Sequence, residues 1–219
     1  PYVKPAIYHS KFLELFNATG FNNAFKQKLK NGHAEHLPKA IEWTQQHQIP
    51  LRGHTLIWPG EKHLPKEVLK EKSSKSKLRK ACNTMIRSWV QKWQLSEWDV
   101  INEPRANHLV QDILGKEEEA KWFKLAKTTS KDPNVQLYLN DYQIVSGIKD
   151  SYKDIYEKNA QVLLDQGAPL HGLGVQSRFK FDISPEQIYK NLTRLNKFNL
   201  PIKGTEFEVV DLKRTLSDQ

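Results

Sequence analysis

The stretch Trp98-Asp99-Val100-Ile101-Asn102-Glu103-Pro104 decides how this chain is read: a short, mostly apolar run that ends in an amide and a carboxyl. Read as a strand over Trp98–Glu103, it carries its polar pair at the C-terminal end. Five further short runs read as strands: Phe21–Lys26, Leu51–Trp58, Leu137–Asp141, Gly172–Gln176 and Ile202–Val209. Successive starts lie 30 to 47 residues apart. An eight-unit strand–helix barrel of roughly 250 residues needs about 31 per unit, so the intervals suit one with modest insertions.

Helical patterns fill the gaps. Leu78, Cys82, Met85, Trp89 and Trp93 recur every three or four residues and make one apolar stripe. Ser184-Pro185-Glu186-Gln187 offers an N-cap, a proline at the first helical position and a capping-box partner. Gly167 is placed to close the helix before it. Strand, helix, strand in regular alternation predicts a parallel sheet with helices outside, in one domain over residues 1–219. An open doubly wound sheet gives the same alternation but is usually built around a glycine-rich phosphate loop, and none follows a strand here. Lys26, His54, Asn102, Glu103, Asn140, Asp141, Gln176 and Glu206 all fall near strand C-termini. In a barrel those ends converge on one rim, where polar groups can serve instead of being buried at a cost.

Composition narrows the class. Hydrophobic residues make up 38% of the 219, with six Trp, seven Tyr and nine Phe, which is ample for a packed interior. No apolar run approaches the roughly 18 residues needed to span a bilayer. Pro1 opens the sequence without a basic-then-apolar leader, so a leader is expected to have been removed or the chain to be part of something longer. A single cysteine, Cys82, excludes an internal disulfide. The net charge of +9 invites a nucleic-acid reading, yet eight Lys/Arg against two Glu between Lys62 and Lys80 come without any aromatic residue to stack on bases. A solvated face is the simpler reading, with weak attraction to acidic polymers as the alternative.

Glu103 is joined by a second carboxyl at a strand end, Glu206 in Gly204-Thr205-Glu206-Phe207-Glu208. About three barrel units separate them, which sets them across the barrel mouth. Glycosidic cleavage needs such a pair, one carboxyl to protonate the departing oxygen and one to attack or screen the oxocarbenium-like carbon. From spacing alone, two rim residues in ion pairs are an equally good reading. The local strings tip the balance. Leu51-Arg52-Gly53-His54-Thr55-Leu56-Ile57-Trp58, the Trp98–Glu103 segment, Leu137-Tyr138-Leu139-Asn140-Asp141-Tyr142, Gly172-Leu173-Gly174-Val175-Gln176-Ser177 and Thr205-Glu206 occur in that order. Together with Phe16-Asn17, Asn23 and Lys26 they resemble strands two to seven of glycoside hydrolase family 10, the xylanase family.

The resemblance implies a TIM (β/α)8 barrel whose first and eighth strands have no counterpart in this chain, so further sequence is expected to complete it. It implies Glu103 as general acid/base and Glu206 as nucleophile. Asn102 would hold the sugar 2-hydroxyl, and Asn23, Lys26, His54, Trp58 and Gln176 would grip sugars on the non-reducing side. Tyr142 would stack on the leaving-group side. The implied activity is retaining, endo-acting hydrolysis of β-1,4-xylan, without metal or cofactor. A sugar-binding barrel without turnover and a transglycosylase are the competing readings. A secreted or periplasmic location follows only from the polymeric substrate. The chain departs from the family pattern where Arg178 stands for a His and Glu208 for an Asp; an Arg–Glu pair is expected to support the nucleophile there, since a guanidinium favours a neighbouring ionised carboxylate. Asn22, Gln27, Pro59 and Glu61 also depart from it near sugar-binding positions.

Overall fold

The apolar runs and helical stripes fold as alternating strands and helices in the computed structural model, which describes residues 5–21, 23–26, 37–180 and 182–210. Six strands run β1 (Thr19–Gly20), β2 (Leu51–Ile57), β3 (Glu97–Asn102), β4 (Gln136–Asp141), β5 (Gly172–Phe179) and β6 (Ile202–Val209). Around them lie α1 (Pro5–Leu15), α2 (Leu37–Gln46), α3 (Lys66–Leu69), α4 (Lys75–Trp93), α5 (Leu109–Leu114), α6 (Glu118–Thr129), α7 (Asp150–Asp165) and α8 (Pro185–Thr193). All neighbouring strands are parallel and follow chain order. Thr19 and Gly20 of one edge and Gly204–Glu208 of the other line the same cavity of about 680 Å³, with Arg52 and Asp99 between them. The sheet is therefore curled, a TIM barrel with part of its wall missing among the described residues.

Helix signals in the sequence act locally as expected. α4 buries Leu78, Cys82, Met85, Ile86, Val90 and Trp93 against the sheet. Burial pushes the Cys82 thiol up to about 12, which removes it as a nucleophile. Ser184 accepts a hydrogen bond from the Gln187 N–H at 3.2 Å, and Pro185 opens α8. The Gln187 amide turns to Asn191 at 2.8 Å, so only half of the capping box forms. Gly167 follows α7 at φ +65°, where a side chain would be strained.

The first strand corrects the sequence reading. Pairing is confined to Thr19 and Gly20, opposite Leu51 and Arg52, whereas Phe21–Lys26 was the expected strand. Residues 23–25 turn instead, and the Lys26 N–H donates to the Asn23 carbonyl at 3.0 Å. The reason is Phe25. Its ring is fully buried, with ring centroids 5.5 Å from Trp98, 6.0 Å from Trp89 and 6.2 Å from Trp93. Burying such a side chain is worth about 1.5–3 kcal/mol, enough to outweigh a few more residues of edge pairing. Asn22, Gln27 and residues 211–219 lie outside the described residues.

Three bulges interrupt the ladders. Between His54↔Asp99 and Ile57↔Ile101, β2 advances three residues for two of β3. β3 then gains one on β4 between Asp99 and Ile101, and β6 gains one on β5 between Thr205 and Glu208. Each bulge sits just before or at a residue that the sequence marked as functional, which is how such irregularities re-aim side chains at a barrel rim.

Below that rim the interior is polar. The Asp99 carboxylate, 1% exposed, accepts from the Arg52 guanidinium and from His54 Nδ1 at 2.8 Å. Arg52 lies 4.6 Å from the Tyr138 ring centroid, and Lys203 pairs with Glu97 across the same layer. Gly174 leaves the room: a Cβ there would come within 2.6 Å of the Asn140 amide oxygen and 3.0 Å of the Arg52 guanidinium. Burial alone would raise the Asp99 pKa, but Arg52 and His54 outweigh it and hold it below the usual carboxylate range. Asp99→Asn should therefore destabilise the fold by about 3–5 kcal/mol at neutral pH, because Arg52 is left buried and unpaired. With a folded pKa below the unfolded one, the wild-type advantage is present above the unfolded pKa and lost as pH falls through the folded one. Urea denaturation at pH 7 and at pH 3 checks both statements: the gap between wild type and variant narrows in acid.

Candidate active site

Glu103 follows β3 directly. Its N–H donates to the Asn140 carbonyl at 2.8 Å, and its backbone is left-handed, at φ +53°. One carboxyl oxygen accepts from Gln176 Nε2 at 2.7 Å and the other from Asn107 Nδ2 at 3.2 Å. Burial pushes the Glu103 carboxyl above its ordinary range; the Gln176 bond opposes this and the Glu206 charge adds to it.

Glu206 occupies the β6 bulge, also left-handed, at φ +52°. One of its oxygens takes both Nε and Nη2 of Arg178, each at 3.0 Å. The other lies 3.6 Å from His54 Nε2. Arg178 Nη1 continues to Glu208 at 2.7 Å. The register Arg178↔Glu208 makes this bridge possible, since the bulge has already shifted β6 by one residue.

Both glutamates line one open cavity of about 420 Å³, together with Lys26, Trp58, Tyr142, Gln176 and Arg178. Gln143, Ser146 and Lys180 complete the wall and were not expected from the sequence. The Lys26 ammonium lies 5.3 Å from the Trp58 ring centroid. Burial lowers the Lys26 pKa, while the Glu206 and Glu103 charges act against that. His63 stacks on Trp58 with centroids 3.5 Å apart and planes 6° from parallel. Asn102 is fully buried, and its amide oxygen accepts from Asn140 Nδ2 at 2.9 Å and lies 3.5 Å from Gln176 Nε2. Its buried amide nitrogen is turned toward the Glu103 carboxyl, which it helps to hold in the ionised form, without reaching full hydrogen-bond geometry among the described residues. His54 faces the adjoining 680 Å³ cavity, which shares Glu206 and Arg178 with the first. Asn23 is not brought in: it is exposed on the turn that replaced the expected strand and does not line the cavity.

Two participants carried no role in the sequence reading. Arg52 and Asp99 fix the His54 ring: an ionised carboxylate only accepts, so Nδ1 carries the proton and Nε2 turns to Glu206. Ionisable residues inside otherwise apolar strands were the signal available for both. Among the described residues no cluster of three His, Cys, Asp or Glu is placed to hold a metal ion, and no helix is long and apolar enough to cross a membrane.

The arrangement separates two carboxyls by environment, one buried among amides and one held by a guanidinium. Neutralising the second should release the first. In Glu206→Gln the Glu103 carboxyl is expected to titrate at lower pH than in the wild type, because a like charge has gone. Carbon-13 NMR of the Glu103 side chain measures the midpoint; an unchanged or higher value contradicts the coupling.

Comparison with known proteins follows the same lines. The model described as "Glycosyl hydrolase family 10" matches residues 8–218. Endo-1,4-beta-xylanase B of Paenibacillus barcinonensis is 28% identical over 178 residues, covering 74% of this chain and 51% of that protein. Endo-1,4-beta-xylanase 1 of Arabidopsis thaliana is 27% identical over 211 residues, covering 90% of this chain and 21% of its own length. The chain thus spans about half or less of these curated relatives. A solved GH10 endoxylanase from a sugarcane soil metagenome superposes with a TM-score of 0.77 at 26% identity, over 93% of this chain and 62% of that one. A psychrophilic family 10 endo-beta-1,4-xylanase, at 21% identity and a TM-score of 0.79, shares the fold over 94% of this chain and 70% of its own.

Proposed function

Since this chain belongs to glycosyl hydrolase family 10, we propose that it carries the catalytic face of an endo-acting, retaining β-1,4-xylanase. Glu103 is the general acid/base and Glu206 the nucleophile. In the first step Glu103 protonates the glycosidic oxygen while Glu206 attacks the anomeric carbon, giving a covalent glycosyl-enzyme. In the second, Glu103 takes a proton from water, which displaces Glu206 with net retention. The carrying observation is that the two glutamates share one sugar-sized cavity in opposed surroundings. Burial favours a protonated Glu103, and the Arg178 guanidinium sits against an oxygen of Glu206. Two carboxyls with separated roles are what this chemistry requires.

Around them the roles follow from position. The buried Asn102 amide nitrogen, beside the Glu103 carboxyl, donates to the sugar 2-hydroxyl, a bond that strengthens as the transition state forms. Lys26 and Gln176 hold hydroxyls of sugars on the non-reducing side, and Tyr142 lies against the leaving-group side. Arg178, braced by Glu208, fixes the side chain of Glu206. His54, oriented by Asp99, faces the other oxygen. A polymer of this kind is met outside the cell, so a secreted or periplasmic setting is part of the same proposal.

Reducing-sugar release from xylan by the wild type, Glu103→Gln and Glu206→Gln tests the reading. Loss of the acid is expected to slow hydrolysis by about 10²–10⁴-fold, least for aryl xylosides whose leaving group needs no proton. Glu206→Gln should abolish turnover while xylan still retards the protein in affinity electrophoresis. Undiminished hydrolysis by Glu206→Gln, or release of the inverted anomer by the wild type, overturns the mechanism. Binding without turnover in the wild type makes this a sugar-binding barrel instead.

A further inference from the structure

The segment after β4 carries three residues of the cavity that holds both glutamates: Tyr142, Gln143 and Ser146. Its shape is irregular. Residues 142–146 bend, and Gln143 is left-handed at φ +58°. Gly147 folds back on it so closely that a Cβ there would lie 2.2 Å from the Gln143 carbonyl oxygen. Among the described residues, none of 143–148 makes a backbone-to-backbone hydrogen bond. A left-handed residue with a side chain persists only where its surroundings enforce it. Here the enforcement comes from side chains beneath. Asn191 of α8, itself buried, donates through Nδ2 to the Val145 carbonyl at 2.9 Å and lies 3.5 Å from that of Gly147. Gln187 fixes the other end of that amide, donating to Asn191 Oδ1 at 2.8 Å. Lys153 of α7, 1% exposed, donates through Nζ to the same Gly147 carbonyl at 2.9 Å and to Asp150 at 3.2 Å. A fully buried ammonium is rare. Its carboxylate partner is itself 66% exposed, so the bond that Lys153 makes in the interior is the one to the loop. Arg105 secures the start of the segment, donating to the Tyr142 carbonyl at 3.4 Å.

We propose that Lys153 and Asn191 are positioning residues for the leaving-group side of the cavity: they hold the 142–149 segment from beneath, so that Tyr142, Gln143 and Ser146 meet the departing sugar in a fixed place. The inference rests on the hydrolase reading and on Tyr142 facing the leaving group. Neither Lys153 nor Asn191 lines the cavity, so each acts through the carbonyl it holds. Removing either donor leaves a buried carbonyl short of a partner, and the segment recovers one by turning that carbonyl toward water. The wall then loses its shape. Lys26, Trp58 and Gln176 stand on other parts of the chain and keep theirs. The defect is therefore confined to sugars on the departing side.

Two variants on two substrates test this. Lys153→Met and Asn191→Ala are compared with the wild type on xylohexaose and on 4-nitrophenyl xylobioside, whose leaving group offers no sugar to the wall. In each variant KM for xylohexaose is expected to rise about 3–10-fold, the range of one net hydrogen bond, with kcat nearly unchanged. Both parameters for the aryl substrate should stay at wild-type values. In amide hydrogen exchange the 143–149 segment should exchange about tenfold faster while β4 keeps its protection. If Lys153→Met does not fold, Asn191→Ala carries the same test. A general loss of structure would lower activity on both substrates alike. Equal losses on the two substrates, or an unchanged KM for xylohexaose, overturn the proposal. A wild type that cleaves neither substrate overturns the hydrolase reading alone. Titration calorimetry with xylohexaose then decides the positioning role: affinity weakened by the same factor in the variants supports it, and equal affinity overturns it.

Discussion

An ionised carboxylate inside the barrel is the constraint on which the rest of the site depends. Asp99 is taken out of water, and its charge is tolerable only because Arg52 and His54 from the neighbouring strand meet it there. That requirement fixes more than a salt bridge. It orients the His54 ring, which then presents its second nitrogen to Glu206 on β6, across the cavity shared by the two edge strands. Four side chains from three strands form one chain of contacts from the polar layer to the rim. A rotation at its foot is felt at its head, so the geometry of the upper site is set by packing well beneath it.

The bulges supply what regular strands cannot. In an ideal strand side chains alternate, and a residue next to an inward-facing one points outward. One additional residue on β2, β3 and β6 shifts that alternation before His54 hands over to Trp58, before Asn102 and Glu103, and at Glu206. Neighbouring side chains can then face the same space. Arg178 exploits this, touching Glu206 and Glu208 at once.

Much of this was legible in the sequence because strand and helix periods differ and the polar residues fall at strand ends. The strands of Leu51, Trp98, Leu137, Gly172 and Ile202 lie within a few residues of where alternation and spacing put them. The first strand was not legible: Phe21 and Phe25 have the spacing of one strand face, yet Phe25 leaves the strand direction to reach three tryptophans distant in sequence. Asn23 went with it, so a residue expected to hold sugar stands exposed. Arg178 beside Glu206 follows the reading of the altered motif. Arg105, whose guanidinium lies 4.3 Å from the Tyr142 ring centroid and 3.8 Å from that of Tyr152, was invisible, because those contacts join the loop after β3 to the loop after β4 and to α7, which no local pattern announces. Gln143, Ser146 and Lys180 belong to connecting loops, where side-chain direction is set by the fold and not by period.

Both Glu103 and Glu206 sit where glycine would be at ease. A residue with a Cβ in the left-handed region carries a conformational penalty of about 1–3 kcal/mol, which persists only where the surroundings enforce it. The scaffold therefore works against the relaxation of the two backbone units that carry the proposed working carboxyls. Glycine at these points would relieve the strain and, under the proposed roles, take away a working carboxyl. That opposition between durability and chemistry is written into two torsion angles.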